Sequence, residues 1–237
     1  MDDKRPLGAP VPGWTPPPSP RGDSLEGAYC RLEPLEAGKH AALLYRAYQA
    51  DDRVWDYLPY GPFHSAAQYH RWVKDIVANP AHLFYAIYSK EARSFAGVAS
   101  YLRITPEAGS IEVGHINFAP VIQGSRAATE AMYLMMQWAF EAGYRRYEWK
   151  CDALNVGSRR AAQRLGLSYE GVFRQALVYK GRNRDTAWFA AIDKEWPALK
   201  QAYGVWLSPR NFDDAGRQAE RLSDLTGLVR VADDPTL

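Results

Sequence analysis

The 237-residue chain predicts an α/β fold in which a mixed, mostly antiparallel central sheet is flanked by helices. Three observations carry that expectation. Residues 83–88, 95–104 and 111–118 are successive runs rich in aromatic and β-branched side chains, the composition of strands. Residues 125–142 place Ala128, Ala131, Leu134, Met135, Trp138 and Ala142 at three- and four-residue steps, a helix with one buried stripe stopped by Gly143. After it, 145–151 and 167–173 read as strands around a short helix at 155–165, so an antiparallel start passes into a helical crossover.

The remaining elements follow in order. Pro6, Pro10, Pro12, Pro16, Pro17, Pro18 and Pro20 crowd residues 1–27, an extended tail that is ordered only where it docks. The folded domain spans 28–203, with a first strand marked by Cys30, Leu32 and Pro34 and a helix over 37–50. Residues 55–63 form an aromatic loop punctuated by Pro and Gly. Ser65 then caps a helix, with Gln68 in capping-box position and Trp72, Ile76 and Val77 on its apolar side. A turn at 180–183 leads to a last strand at 186–192 and a helix from 194, and 204–237 is a C-terminal extension packing on the surface.

Composition excludes several function classes. Lysine and arginine total 29 against 27 acidic residues, a net charge of +2, too even to make nucleic acid or a membrane the partner. Cys30 and Cys151 are far apart and lack ligand spacing, so neither a disulfide framework nor a metal site is expected. The first residues run into prolines rather than an apolar stretch, and nothing approaches the roughly 18 apolar residues of a spanning helix. A cytoplasmic protein, monomer or homodimer, is the expectation.

Three motifs occur in order. Residues 111–116 read Ile-Glu-Val-Gly-His-Ile, residues 123–131 read Gln-Gly-Ser-Arg-Ala-Ala-Thr-Glu-Ala, and Asn155, Ser158 and Gly166-Leu167 follow. Together they resemble the cofactor-binding core of the GNAT superfamily of N-acetyltransferases, most closely its ribosomal-protein N-terminal acetyltransferase (RimJ/RimL-like) branch. Leu35 and the 55–63 loop fit as well, so the resemblance covers about residues 28–196. It implies acetyl-CoA as co-substrate, no metal, and direct transfer to a primary amine of a peptide N-terminus or a small molecule within a ternary complex. It places the coenzyme on the strand at Ile116, Asn117 and Phe118, on the loop Gln123, Gly124, Ser125, Arg126, Ala127 and Ala128, and at Asn155. Arg145, Arg146, Lys150, Arg159 and Arg160 make the core locally basic, read either as a solvated face or, for Arg159 or Arg160, as a contact to the 3′-phosphate. Two departures stand out: Arg126 occupies the position of the family's central loop glycine, and Ala162 that of the tyrosine which commonly protonates the coenzyme thiolate.

The residues themselves suggest the chemistry and its alternatives. A helix beginning near Ser125 offers unpaired amides and a positive dipole end to a pyrophosphate, or Gly124 and Ser125 merely turn and cap it. A primary amine, with a pKa of roughly 10, must lose a proton before attack, and a carboxylate can accept it. The resemblance assigns that role to Glu112; the alternative is a surface glutamate at a sheet edge. His115 is a second candidate base, facing away from Glu112 unless a β-bulge intervenes. The resemblance implies that backbone amides from Gly114 to Asn117 face the oxyanion. With no tyrosine at 162, Ser158 is the candidate acid, although Asn155 and Ser158 also read as a helix cap and its first-turn partner. Cys151 reads as a buried strand residue. Trp55, Tyr57, Tyr60 and Phe63 would line the acceptor groove, bordered by Tyr101 and Arg103, unless packing alone pins the loop. A catalytically weak GNAT-fold module that binds acyl-CoA or a protein is the second functional reading, and an unrelated α/β domain the third.

Overall fold

A computed structural model describes residues 6–237; residues 1–5 of the proline-rich tail lie outside the described part. In chain order the elements are β1 (Leu25–Glu26), β2 (Cys30–Pro34), α1 (Ala37–Tyr48), α2 (Ala66–Val77), β3 (Leu83–Ser89), β4 (Ser94–Thr105), β5 (Ser110–Phe118), α3 (Arg126–Glu141), β6 (Arg146–Asp152), α4 (Val156–Arg164), β7 (Ser168–Tyr179), β8 (Arg182–Ile192), α5 (Trp196–Trp206) and α6 (Leu222–Gly227). They build one eight-stranded sheet in the order β1-β2-β3-β4-β5-β6-β8-β7. Among the described residues only β5 and β6 run parallel, joined by the α3 crossover. The expected mixed, mostly antiparallel architecture is the one observed.

Strand alternation divides the side chains between two cores. Tyr85, Tyr101, Ile111, Val113, Tyr147, Trp149 and Phe189 pack beneath α3, α4 and α5. On the opposite face, Phe84, Ala86 and Val98 meet α1, α2 and the aromatic loop through Tyr48, Trp55 and Tyr69. Ser65 Oγ accepts the Gln68 amide, while the Gln68 side chain accepts from His64 N, one residue further back than a capping box requires. α2 buries Tyr69 and Val73 and leaves Val77 exposed, so its inner stripe is rotated from the expected Trp72, Ile76 and Val77. The cause is the aromatic loop, against which Tyr69 packs through Trp55 and Phe63.

α3 is capped by Ser125 Oγ, which accepts the Ala128 amide, and ends at Gly143 with φ +100°, the left-handed conformation that favours glycine. Its buried arc reaches Met132, Met136 and Phe140, whereas Leu134 and Trp138 are only partly covered. The arc widens because α5 covers a second flank, Trp196 stacking on Tyr133 and Phe140. Glu130 on this helix is buried, and its carboxylate accepts the amides of Ala28, Tyr29 and Cys30 at 2.6–2.8 Å, tying the β1–β2 hairpin to α3. A β-carbon at Gly27 would lie 2.3 Å from that carboxylate, so Gly27→Ala is expected to lower the urea midpoint.

The ends of the chain differ from the expected outline. A short β1 precedes the expected first strand and pairs with β2. Trp14 lies under the Arg145 guanidinium, and the Pro18 carbonyl accepts the Tyr144 hydroxyl. β7 and β8 extend well past 173 and 186. Beyond the last β6 pairing, Asp152 with Thr186, they continue as a two-stranded arm. Past α5 the chain returns to α4, where Thr226 Oγ1 donates to the Arg164 carbonyl. No helix among the described residues is long and apolar enough to cross a membrane.

Candidate active site

The sheet opens at its centre. β5 and β6 are in register only from Ser110–Arg146 to Val113–Trp149, and beyond this point the two strands separate. The β6-facing backbone of Gly114–Phe118 is thereby released from ladder pairing. On its other edge β5 carries a bulge: Gly114 and Asn117 pair with Ser100 and Val98, three residue steps against two, and His115 takes φ +51°. The extra residue turns His115 onto the face that carries Glu112. There its Nδ1 lies 3.0 Å from the Tyr60 hydroxyl, and its ring packs against His82 and Phe84. Burial, with His82 and Arg103 nearby, depresses its pKa to about 4, so His115 is neutral at pH 7.

Glu112 is 3% exposed and stands in mid-sheet, which removes the edge-strand alternative. Its Oε2 lies 2.8 Å from Lys150 Nζ and 2.9 Å from Arg103 Nε. Lys150 also contacts Glu148 at 2.7 Å and sits 3.7 Å above the Trp188 ring. Burial raises the Glu112 pKa above the ordinary glutamate value, while the Lys150 and Arg103 charges pull it back. Gly114 makes room for this carboxylate: a β-carbon there would come within 3.4 Å of Glu112 Oε1 and 2.9 Å of Leu102. Arg103 thus borders the site through Glu112. Tyr101 does not. It pairs with Val113, on the opposite face from Glu112, is fully buried, and donates its hydroxyl to the Met135 carbonyl under α3.

The α3 end of the opening is polar and open. Among the described residues the amides of Gly124, Arg126 and Ala127 donate to no protein acceptor; Gly124 is exposed and Arg126 half-buried at the helix N-terminus, while Ala127 is buried. The Gln123 side chain donates to the Phe118 carbonyl and fixes the loop to β5. Arg126 swings away, its guanidinium stacked between Tyr29 and Phe212. Asn117 is buried, its carbonyl accepting from Tyr48 and its side-chain amide without a partner among the described residues. Ile116 and Phe118 flank it, half-buried.

At the β6 end, Asn155 Oδ1 caps α4 by accepting the Ser158 amide, the structural reading of that residue. Ser158 Oγ accepts from Trp149 Nε1 at 3.0 Å, and its hydroxyl hydrogen-bonds the neighbouring Cys151 sulfur. Cys151 is buried and its thiol is pushed up to about 11 by burial. Ala162 is wholly buried in the core. Arg159 departs from expectation. Its guanidinium is buried and engaged by Asp234, Thr236 and the Ala153 carbonyl, so the returning C-terminal segment occupies the cation expected at a phosphate. Burial acts to raise the Asp234 pKa and the Arg159 pair overcomes it, a net depression. The pair's stabilisation is therefore complete above the ordinary aspartate pKa and lost as pH falls through the depressed one. Asp234→Asn is expected to cost about 1–3 kcal/mol in neutral urea denaturation and to converge with the parent in acid.

Across the opening lies the aromatic loop. Trp55 is buried among Tyr48, Phe63 and Tyr69 and acts as a packing anchor. Its carbonyl accepts Lys180 Nζ from the β7–β8 turn, holding the arm over this side. Tyr57 is exposed and donates to the Leu154 carbonyl, whereas Tyr60 projects between Trp72 and His115. Sequence reading missed Lys150, His82 and the β8 side chains. Glu148, Lys150 and Asp152 at alternating positions were a usable signal, one face of a strand that in a buried sheet centre must meet charges.

A sheet split at its centre, with a helix N-terminus at the opening and a buried carboxylate beside it, defines an acetyltransferase-type α/β fold. The chain matches the acetyltransferase (GNAT) domain over residues 30–168, and it belongs to that family. A GCN5-related N-acetyltransferase from Brucella melitensis is 45% identical, with 92% of this chain and 100% of that one covered and a TM-score of 0.89. A GNAT-family structure from Chromobacterium violaceum ATCC 12472 is 39% identical, covering 82% and 98%, with a TM-score of 0.77. At 20% identity the likeness to a Salmonella typhimurium enzyme that modifies the N-terminal serine of ribosomal protein L7/L12 is one of fold, with a TM-score of 0.61 over 72% and 99%. Among curated proteins none matches the chain.

Proposed function

We propose that this chain is a cytoplasmic, acetyl-CoA-dependent N-acetyltransferase acting on a primary amine, of a peptide N-terminus or a small molecule, in a ternary complex. The observation that carries the reading is the β5–β6 opening, with free α3 amides at one side and the Glu112–Lys150 pair at the other. The coenzyme fits these residues: the amides of Gly124, Arg126 and Ala127 suit its pyrophosphate, and the released edge of β5 at Ile116, Asn117 and Phe118 suits its pantetheine amides. Once bound, it supplies an acetyl thioester. Glu112 takes the proton from the amine, directly or through a water, and β5 amides near Gly114 to Asn117 hold the oxyanion. Ser158 returns a proton to the departing sulfur. The order of motifs supports placement in the RimJ/RimL-like branch.

Calorimetric titration with acetyl-CoA followed by a thiol-release assay over an amine and peptide panel tests this reading. Saturable coenzyme binding and acceptor-dependent thiol release are expected; no binding at millimolar coenzyme refutes the proposal. Binding without turnover on any acceptor favours the second reading, a coenzyme-binding module, which the absence of a proton donor at Ala162 motivates. Ser158→Ala is expected to lower turnover by about tenfold to a hundredfold, at the weak end of acid catalysis because a water can substitute, with coenzyme affinity preserved.

A further inference from the structure

One face of β8 carries three polar groups without partners. Arg184, Thr186 and Trp188 alternate along the strand, with Thr186 and Trp188 opposite Asp152 and Lys150 of β6. They therefore project to the face of the sheet that carries Glu112 and Lys150. Arg184 Nε, Thr186 Oγ1 and Trp188 Nε1 are all buried, and among the described residues none has a hydrogen-bond partner. Buried polar atoms are nearly always satisfied, so three in a row on one strand face, beside the opening, mark a surface built for a ligand.

Their chemistry restricts what the ligand presents. Guanidinium and indole nitrogens only donate, and the threonine hydroxyl also can donate, so the missing partner is rich in acceptors. The nearby charges restrict it further. Arg103, Lys150 and Arg146 form one network balanced by Glu112, Glu148 and Glu170, and Arg159 is balanced by Asp234. Asp152, the carboxylate beside the stripe, is already engaged by the Tyr179 hydroxyl and the Leu154 amide. Arg184 packs over the Tyr179 ring and, among the described residues, joins no ion pair. It lies on the same side as His115, whose low pKa it helps to depress. An uncompensated, half-buried cation at the acceptor side calls for an anion.

Geometry sets the spacing. Arg184 stands four residues along β8 from Trp188, about 13 Å in an extended strand. Trp188 is level with Lys150, which contacts Glu112. An amine at Glu112 and an anion at Arg184 are therefore separated by several bonds. We propose, resting on the acetyltransferase reading, that the acceptor is an amine bearing a remote carboxylate, as in an ω-amino acid or a short acidic peptide. Arg184 and Thr186 bind the carboxylate, and in a peptide acceptor Trp188 Nε1 donates to a carbonyl oxygen nearer the amine. Arg184 is on this account a specificity-determining residue.

The test uses the full chain and matched probes that differ only in the carboxylate: 6-aminohexanoate against hexylamine, and Ser-Glu amide against Ser-Gln amide. Affinity for the CoA-saturated protein is measured by calorimetry, and thiol release with acetyl-CoA is measured in parallel. The carboxylate-bearing member of at least one pair is expected to be preferred about 10- to 100-fold, the worth of one charge-assisted contact. Arg184→Met should abolish the preference, Arg184→Lys should keep part of it, and both should bind acetyl-CoA as the parent does. Equal affinity within each pair, no binding by any probe, or a preference that survives Arg184→Met overturns the proposal. Weakened acetyl-CoA binding in Arg184→Met also overturns it, by assigning the cation to the coenzyme phosphates. Failure of the parent to bind acetyl-CoA is a separate outcome and refutes the underlying function.

Discussion

Glu112→Gln is expected to lower acetyl transfer by about 10²- to 10⁴-fold, the range for removal of a positioned general base, with acetyl-CoA affinity unchanged. The substitution keeps the shape of the side chain in its tight site beside Gly114 and removes only its capacity to take a proton. The parent should show an acid limb in its kcat/KM profile. On the proposed mechanism Glu112 acts as the carboxylate, and burial raises its pKa, so activity is expected to be lost as pH falls through a value above the ordinary glutamate pKa. Lys150 opposes that rise. Lys150→Met should therefore move the acid limb further up, while Glu112→Gln should abolish it. A parent and a Glu112→Gln variant with the same rate and the same pH profile would remove Glu112 from the mechanism. The neutral His115, 3.0 Å from Tyr60, would then be the next group to test.

Glu130→Ala is expected to lower unfolding free energy by about 3–5 kcal/mol, read as a fall in urea midpoint at constant m-value. The magnitude follows from the number of groups left behind. The carboxylate accepts the amides of Ala28, Tyr29 and Cys30, and its removal strands three donors beneath α3. Glu130→Gln should fall between parent and alanine, because one amide oxygen still accepts while the –NH₂ group opposes the amide facing it. Loss below about 1 kcal/mol in the alanine variant would mean that water or a backbone shift satisfies those amides. The Thr-Glu-Ala run thus has two distinct roles at neighbouring positions. Thr129 Oγ1 donates to the Ser125 carbonyl within the helix start, and Glu130 anchors the N-terminal hairpin.

The local elements were legible because their causes are local. Ser65 and Ser125 act as caps, Gly143 ends α3, and Asn155 caps α4, each set by residues within a turn of one another. Strand centres were legible for the same reason, from runs of β-branched and aromatic side chains. The extended parts of β7 and β8 were not, since 172–185 is largely exposed, mixes polar and apolar residues, and is held as strand by its partner across the hairpin. The inner faces of α2 and α3 were misjudged where a second layer, the aromatic loop or α5, widened or rotated the buried arc.

For the site, the sequence by itself determined which segments converge: the Glu-Val-Gly strand, the Gln-Gly-Ser-Arg loop and the Asn-x-x-Ser helix, whose order implies the family. Tertiary structure alone decided which side chains face the opening. Strand register put Tyr101 with Val113 under α3, away from Glu112, and the β5 bulge put His115 with Glu112. The returning C-terminal segment, some 75 residues along the chain, engaged Arg159 through Asp234. Pairing of β5 with β6 set Lys150 beside Glu112, and pairing of β6 with β8 left Arg184, Thr186 and Trp188 in line. The physical reason is the range of the interactions. Caps and periodicity depend on neighbours a few residues away, whereas a one-residue change of register or a distant ion pair reverses which face a charge occupies.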